Sequence, residues 1–337
     1  MPDFQRNLLT WYEAHRRDLP WRSSSDPYSV WVSEIMLQQT TVAAVIPFFE
    51  RWMARFPKVE VLAAASEDEV LTYWQGLGYY SRARNIHQAA EMITDHGWPD
   101  SVEGLRALPG IGAYTAGAVG SIAFGWDVPL VDGNVERVFA RLTVCYESGS
   151  KLNRLAWDWA HGVLAKGHAG DWNQALMELG ATVCRPVNPS CVDCPVSNSC
   201  FAFASDLVNE LPVPKKKTEW VELRHIVVVP ICEGKFGVRR VPEGRWWQGM
   251  WEFPREEDSV PGLDELAGLL GSGWEELGKI KHVVTKHKIT VRVFIVRLES
   301  EVSGLEWVAP EDLDGLALPA PTAKIARMLY GELGLLV

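Results

Sequence analysis

Four cysteines fall within one short segment: Cys184, Cys191, Cys194 and Cys200, separated by six, two and five residues. Thiols clustered in this way, in a chain with no readable secretory leader, are the donor set of a metal or cluster site rather than a disulfide scaffold. Zinc sites usually pair two short Cys-x2–4-Cys knuckles, and only Cys191 and Cys194 make one here. The remaining cysteines, Cys145 and Cys232, stand alone in apolar surroundings and read as small buried hydrophobes. Two carboxylates form a second group. Asp132, followed by Gly133, stands at a helix entrance, where its structural reading is an N-cap. Glu34 lies on a helix with Val30 and Leu37, where its structural reading is a solvated face. The apolar neighbours Val30, Ile35 and Leu37 favour a partly buried carboxyl that keeps its proton. A third feature is Leu108-Pro109-Gly110-Ile111-Gly112. A hairpin with glycine at Gly110 and Gly112 turns backbone N–H groups outward ahead of a helix, which makes a phosphate seat needing no basic residue; a plain helix–helix turn is the alternative.

The elements that must position these residues are mostly helices. Phe4, Leu8, Trp11 and Tyr12 share a face that ends before Leu19-Pro20, and Asp26-Pro27 opens the Glu34 helix. Capping boxes read at Ser66–Glu69, Asp100–Glu103 and Asp171–Gln174 open three more. Strand-like alternation is scarce as far as Cys200, so this part is expected to be all-α. Leu211-Pro212-Val213-Pro214-Lys215-Lys216-Lys217 then reads as a linker. Beyond it, Ile226–Val229, Phe236–Val238 and Ile289–Val296 read as strands, and Leu263–Leu270 and Ala323–Leu333 as helices. The expected organisation is a helical domain over residues 1–204, with a helix–hairpin–helix near 101–125 and the cysteine loop at 184–200. A linker over 205–220 leads to an α+β domain over 221–337. No internal repeat or low-complexity tract is seen.

A chain of 337 residues suits two domains. Lys plus Arg is 33 against 43 Asp plus Glu, a net charge of −10. That balance argues against nonspecific polyanion binding and leaves room only for a local basic surface, with Arg185 beside the cysteines one candidate phosphate contact. No apolar run approaches the roughly 20 residues of a membrane helix. Met1–Arg6 reads as neither a signal nor a transit peptide, so a cytoplasmic protein without a membrane association is expected.

Taken in order, the helix–hairpin–helix, Val131-Asp132-Gly133-Asn134-Val135 and Cys-x6-Cys-x2-Cys-x5-Cys resemble the iron–sulfur branch of the helix–hairpin–helix DNA glycosylases. Within that branch, Trp31-Val32-Ser33-Glu34-Ile35-Met36-Leu37-Gln38-Gln39-Thr40 and Gly76-Leu77-Gly78-Tyr79-Tyr80-Ser81-Arg82-Ala83-Arg84-Asn85 look like MutY-type adenine DNA glycosylases. The likeness runs nearly continuously from Phe4 to Cys200 and more weakly beyond. It implies a monofunctional enzyme of base-excision repair that removes adenine mispaired with 8-oxoguanine or guanine in duplex DNA. A monomer associated with the nucleoid is expected.

The resemblance also assigns roles. Cleaving an N-glycosidic bond puts positive charge on the sugar and negative charge on the leaving base, so an acid and a carboxylate are needed. Glu34 would protonate adenine at N7, and Asp132 would face the sugar cation. Asn134 would orient Asp132 and a water. Tyr114 stands where bifunctional relatives resembling endonuclease III carry a Schiff-base lysine, and tyrosine cannot form one. Extrusion of the base is implied. Gln39 and Tyr79 would then intrude into the duplex, with Thr40 beside Gln39. Arg17, Trp21, Arg22, Leu37 and Val42 would wall the adenine pocket, with Gln174 and Glu178 on its polar side. The 6-2-5 spacing matches that of the family's 4Fe-4S cluster, so the resemblance implies that Cys184, Cys191, Cys194 and Cys200 hold one.

Trp247-Gln248-Gly249-Met250-Trp251-Glu252-Phe253-Pro254 resembles the start of a MutT-like (Nudix) fold. Arg255-Glu256-Glu257-Asp258 leads into Pro261 and Gly262 without the hydrolase signature or its helix, so nucleotide hydrolysis is not expected. The resemblance instead implies reading of 8-oxoguanine through a loop in which relatives carry Phe-Ser-His. This chain has Thr285, Lys286 and His287 there, with Thr285 left to donate a hydrogen bond and Lys286 to meet phosphate. Three other readings stand beside this one: a thymine or uracil mismatch glycosylase on the same scaffold, a non-catalytic DNA-structure binding protein, and a zinc-dependent structural module.

Overall fold

The structure, a computed structural model, describes residues 1–214 and 219–332. Internal contacts divide the chain into two units, Met1–Ala64 with Asn85–Lys216, and Ala65–Arg84 with Lys217–Val337. The division differs from the organisation read in the sequence, because residues 65–84 group with the C-terminal part. Among the described residues no helix is long and apolar enough to cross a membrane.

The first unit is helical. Its core gathers Leu8 and Tyr12 of the helix Asp3–His15, Val135 and Phe139 of Gly133–Thr143, and Trp172, Leu176 and Leu179 of Ala169–Thr182. Burial of these apolar faces supplies the main driving force for packing the three helices together. Helix starts are set by side chains that accept orphan backbone N–H groups: Asp26 from Ser29 for Pro27–Met36, and Thr41 from Ala44 for Val42–Arg55. Two starts differ from the sequence reading. Ser101, not Asp100, caps Val102–Ala107 by accepting from Gly104. The last long helix begins at Ala169 rather than after Asp171, whose carboxylate lies in its first turn, where the helix dipole favours it.

The segment read as a linker is partly packed in the core. Leu211 is 2% exposed, and Val208 is also buried. The reason is Arg141, whose Nε donates to the Val208 and Leu211 carbonyls at 3.1 and 2.9 Å. Lys215–Lys217, the charged end of that reading, lie outside the described residues.

The second unit is an α+β fold around a mixed sheet. Its strands are β1 (Val221–Cys232), β2 (Lys235–Arg240), β3 (Trp251–Glu252), β4 (Arg255–Glu257), β5 (Glu275–Val284), β6 (His287–Arg297) and β7 (Glu306–Val308). The order is β3-β2-β1-β6-β5, with β4 also on β1 and β7 on β2. β1 and β6 run parallel and the other pairs antiparallel. Helix Ala320–Glu332 covers one face through Ile325 and Leu329, and Val260–Leu270 covers the other through Leu266 and Leu270. Leu333, read as the helix end, is outside the described residues.

β5 escaped the sequence reading because its exposed residues interrupt any apolar run, as suits an edge strand. The expected recognition loop shrinks accordingly. His282 to Val284 belong to β5, His287 opens β6, and only Thr285 and Lys286 remain as a two-residue turn. Thr285 adopts φ 52° there, the left-handed geometry of tight hairpins. The helix read at Leu263–Leu270 begins earlier, at Val260, where Ser259 caps it by accepting from the Gly262 N–H. The carboxylates before it are occupied: Arg239 and Arg245 pair with Glu256 at 2.8 and 2.9 Å, and Arg255 with Glu252 at 2.8 Å.

Candidate active site

A cleft of about 750 Å³ in the first unit is the meeting point of elements far apart in sequence. Fifteen of the residues singled out in the sequence line it. Arg17, Trp21 and Arg22 come from the segment before Pro27–Met36; Glu34 lies within that helix; Leu37, Gln39, Thr40 and Val42 follow it. Gly110 and Gly112 of the hairpin, Tyr114, Asp132, Asn134, Gln174 and Glu178 complete the set. Tyr79, Thr285, Lys286 and His287 belong to the second unit and do not line this cleft.

The Glu34 helix is buried along nearly its whole length, so Glu34 has no solvated face and is only 6% exposed. Burial drives its carboxyl up to about 7. The Tyr114 hydroxyl donates to Glu34 Oε2 and restrains that rise, while the charge of Asp132 adds to it and Arg22 opposes it. Tyr114 itself is held well above its ordinary value by burial and by the two carboxylates, so its phenol stays protonated and remains a donor.

Asp132 is both cap and cleft residue. Its Oδ1 accepts from the Val135 backbone N–H at 2.8 Å, which opens the helix Gly133–Thr143. Its Oδ2 accepts from Asn134 Nδ2 at 2.8 Å. Burial raises the Asp132 carboxyl, and these two hydrogen bonds pull against that rise. Arg137 in turn donates Nη2 to Asn134 Oδ1 at 2.8 Å, which leaves the amide N–H of Asn134 for Asp132. Gly180 sits against this pair so closely that a Cβ there would lie 2.5 Å from the Asn134 Cβ.

Also lining the cleft, fully buried Glu178 accepts from Arg17 Nε at 2.6 Å, Arg17 Nη2 at 3.0 Å and Arg22 Nη2 at 2.9 Å. Burial works against its charge, but these bonds outweigh burial and hold the carboxyl below its usual range. Glu178 therefore stays ionised and fixes two guanidiniums at the cleft wall. Met177, also in the wall and 3.5 Å from the Tyr114 hydroxyl through its sulfur, escaped the sequence reading because a Met on a helix reads as core. In the hairpin, Gly110 has φ +75° and would place a Cβ 2.8 Å from that of Asn85, so glycine is required twice over. A Cβ at Gly112 would meet nothing within 4 Å, which leaves that backbone open to approach.

The four clustered cysteines line one small pocket of about 30 Å³ together with Arg141. Arg141 Nη1 donates to Cys184 Sγ at 3.3 Å and to the Arg185 carbonyl at 2.8 Å. Arg137 Nε reaches the Cys184 carbonyl at 2.7 Å. Among the described residues no three His, Cys, Asp or Glu side chains have the spacing of a single-ion site. Thiols lining one void, with a cationic donor on one sulfur, fit an all-thiolate group of anionic character. Arg185 is held to the Asn188 carbonyl at 2.9 Å at the surface.

A family model described as HhH-GPD superfamily base excision DNA repair protein matches residues 32–161, and a NUDIX domain model matches 225–328. Fold and cleft thus define a base-excision DNA repair glycosylase followed by a Nudix-fold unit. The adenine DNA glycosylase of Mus musculus is 45% identical over 96% of this chain and 77% of its own length. That of Buchnera aphidicola subsp. Schizaphis graminum is 33% identical over 96% of this chain and 98% of its own. The chain belongs to the adenine DNA glycosylase family. Among solved structures, a thermostable thymine-DNA glycosylase is similar at a TM-score of 0.53 and 29% identity, covering 60% of this chain and 95% of that one. Endonuclease III in a non-covalent DNA complex shares the fold, at a TM-score of 0.52 and 23% identity over 60% of this chain and 94% of that one.

Proposed function

We propose that this enzyme binds duplex DNA as a monomer in the cytoplasm, at the nucleoid, and hydrolyses the N-glycosidic bond of adenine mispaired with 8-oxoguanine or guanine. It leaves an abasic site and does not cut the strand. The observation that carries this reading is Glu34, a buried carboxyl raised to about 7, hydrogen-bonded by Tyr114 and facing the same cleft as Asp132.

The target adenine, extruded from the stack, enters between the Arg17 and Arg22 guanidiniums and the Glu34 wall. Protonated Glu34 gives its proton to the base as the bond to the sugar lengthens, so the base departs neutral rather than as an anion. Asp132, aligned by Asn134 and Val135, places negative charge against the sugar cation. Water then adds to the anomeric carbon, and one of the two carboxylates takes its proton. Tyr114 has no amine for attack on that carbon, so no Schiff base forms and no strand-cleaving elimination follows.

Gln39 and Tyr79 contact the duplex around the partner base, and Thr285, Lys286 and His287 contact the 8-oxoguanine strand. Cys184, Cys191, Cys194 and Cys200 hold a 4Fe-4S cluster, which supplies a rigid cross-link for the 184–200 loop. The test is single-turnover adenine release from duplexes with adenine opposite 8-oxoguanine, guanine, cytosine or thymine, with alkali added afterwards. Fast release opposite 8-oxoguanine and strand breaks only after alkali are expected. Absence of release from every duplex, or breaks without alkali, would overturn the reading.

A further inference from the structure

Tyr79 stands 45% exposed on a turn that belongs to the second unit, not to the unit that carries the cleft. The turn is built to a fixed shape. Gly76, Gly78 and Tyr79 have φ of 104°, 71° and 49°. The last is a left-handed conformation that a bulky residue holds only where its surroundings require it. The Arg82 guanidinium lies over the Trp74 ring at 5.3 Å and over the Tyr79 ring at 5.5 Å. Its Nη2 donates to the Leu77 and Gly78 carbonyls at 3.2 Å each, and Trp74 Nε1 donates to the Gly78 carbonyl at 3.0 Å. Trp74 is the last residue of the helix Glu67–Trp74, so the direction of Tyr79 follows the placement of that helix.

Arg240 on β2 reaches that helix at its first turn. Its Nη1 donates to Asp68 Oδ1 at 2.6 Å and its Nη2 to Asp68 Oδ2. The same guanidinium lies 3.9 Å from the centre of the buried Trp251 ring and donates to the Gly249 carbonyl at 2.7 Å. Beside it, Arg84 pairs with Glu67 at 2.9 Å and donates to the Gln248 carbonyl. A lone exposed ion pair does little to hold structure. A planar cation fixed by a ring face, a carbonyl and a bidentate carboxylate is different, because its orientation is set before the pair forms.

We infer that Arg240 is a positioning residue for Tyr79: through Asp68 it locks the helix Glu67–Trp74 to the Nudix-fold sheet and so fixes the angle at which Tyr79 meets DNA. The inference rests on the reading of Tyr79 as a duplex-contacting residue. It means that the Nudix-fold unit takes part in recognition through the Tyr79 turn as well as through its own hairpin.

The experiment is a double-mutant cycle on the intact chain with Arg240→Gln and Tyr79→Leu, read as single-turnover adenine release opposite 8-oxoguanine and opposite guanine. Arg240→Gln is expected to lower the 8-oxoguanine-to-guanine rate ratio about fivefold, and the double variant to be no worse than Tyr79→Leu alone, since residues acting through one another are non-additive. Arg240→Lys is expected to behave like Arg240→Gln, because it keeps the charge and loses the fork. Additive losses would overturn the inference, as would an unchanged ratio in Arg240→Gln beside a lowered one in Tyr79→Leu. An unchanged ratio in Tyr79→Leu would instead overturn the reading of Tyr79. Should Arg240→Gln fail to fold, Asp68→Asn, which leaves Arg240 on Trp251, carries the same cycle.

Discussion

Arg137 holds Asn134 by its side-chain oxygen at 2.8 Å, and this fixes which end of the amide faces Asp132. With Arg137 removed the amide is free to rotate, and Asp132 loses the Asn134 side-chain hydrogen bond and the nearby positive charge, both of which oppose the rise that burial imposes on its carboxyl. Arg137→Ala is expected to slow single-turnover adenine release by roughly 10- to 100-fold, the kinetic equivalent of one charge-assisted hydrogen bond. Binding to mispaired DNA under the same salt should change little. An equal loss in both measurements would assign Arg137 to folding rather than to the carboxylate.

The same relationship can be disturbed from the other side. A methyl group at Gly180 has no room beside Asn134. Gly180→Ala is therefore expected to lower base release in the direction of Arg137→Ala, and the two together should fall short of additivity. Full additivity would mean that the Asn134 contact is not what transmits the effect.

Glu34 makes the reaction pH-dependent with a definite sign. The acid form is the proton donor, so the single-turnover rate should fall as pH rises through about 7. Tyr114→Phe deletes the hydrogen bond that restrains the carboxyl and should move this limb to higher pH. Stability follows the same proton. The folded carboxyl, at about 7 against an unperturbed 4.5, binds its proton more tightly than the unfolded one. Its contribution is thus fully present below the unfolded value and is lost as pH rises through the folded one. Glu34→Gln should remove that pH-dependent component of Tm and nearly abolish base release. A rate that rises through neutral pH would sink the acid role.

How far the site was legible in the sequence depends on the kind of constraint. The helical elements showed through Asp26-Pro27 and the apolar faces, because caps and periodicity are local. Asp132 was open between cap and cleft residue, and the structure shows that one carboxylate serves as cap with one oxygen while the other faces Asn134. Arg137 and Arg141 carried no signal, since an arginine on a helix reads as a solvated face; their partners lie 43 and 67 residues away for Gly180 and Val208. The linker reading failed at Leu211 for the same reason, and β5 failed because the charges of Glu275, Glu276, Lys279 and Lys281 break up its apolar residues as in a loop. The grouping of residues 65–84 with the C-terminal fold is a tertiary fact, written in Arg240 and Asp68 only once both are placed in space.

Asp132→Asn tests the carboxylate itself. Asparagine can still accept from Val135 with its oxygen, so the cap and the helix Gly133–Thr143 should survive, while its amide nitrogen then faces the Asn134 amide nitrogen in place of Oδ2 and should lower Tm modestly. The negative charge opposite the sugar cation is lost, and base release should fall by at least about a hundredfold, the scale of a removed electrostatic stabiliser. Binding to mispaired duplex should remain, because the phosphate and pocket contacts are untouched. Tyr114→Lys completes the test from the other direction. It places an amine beside Asp132 and should give a borohydride-trappable adduct with DNA that the parent enzyme does not form. Unchanged turnover in Asp132→Asn would remove Asp132 from the mechanism. A trapped adduct in the parent enzyme would show that a nucleophile other than the residue at 114 reaches the sugar.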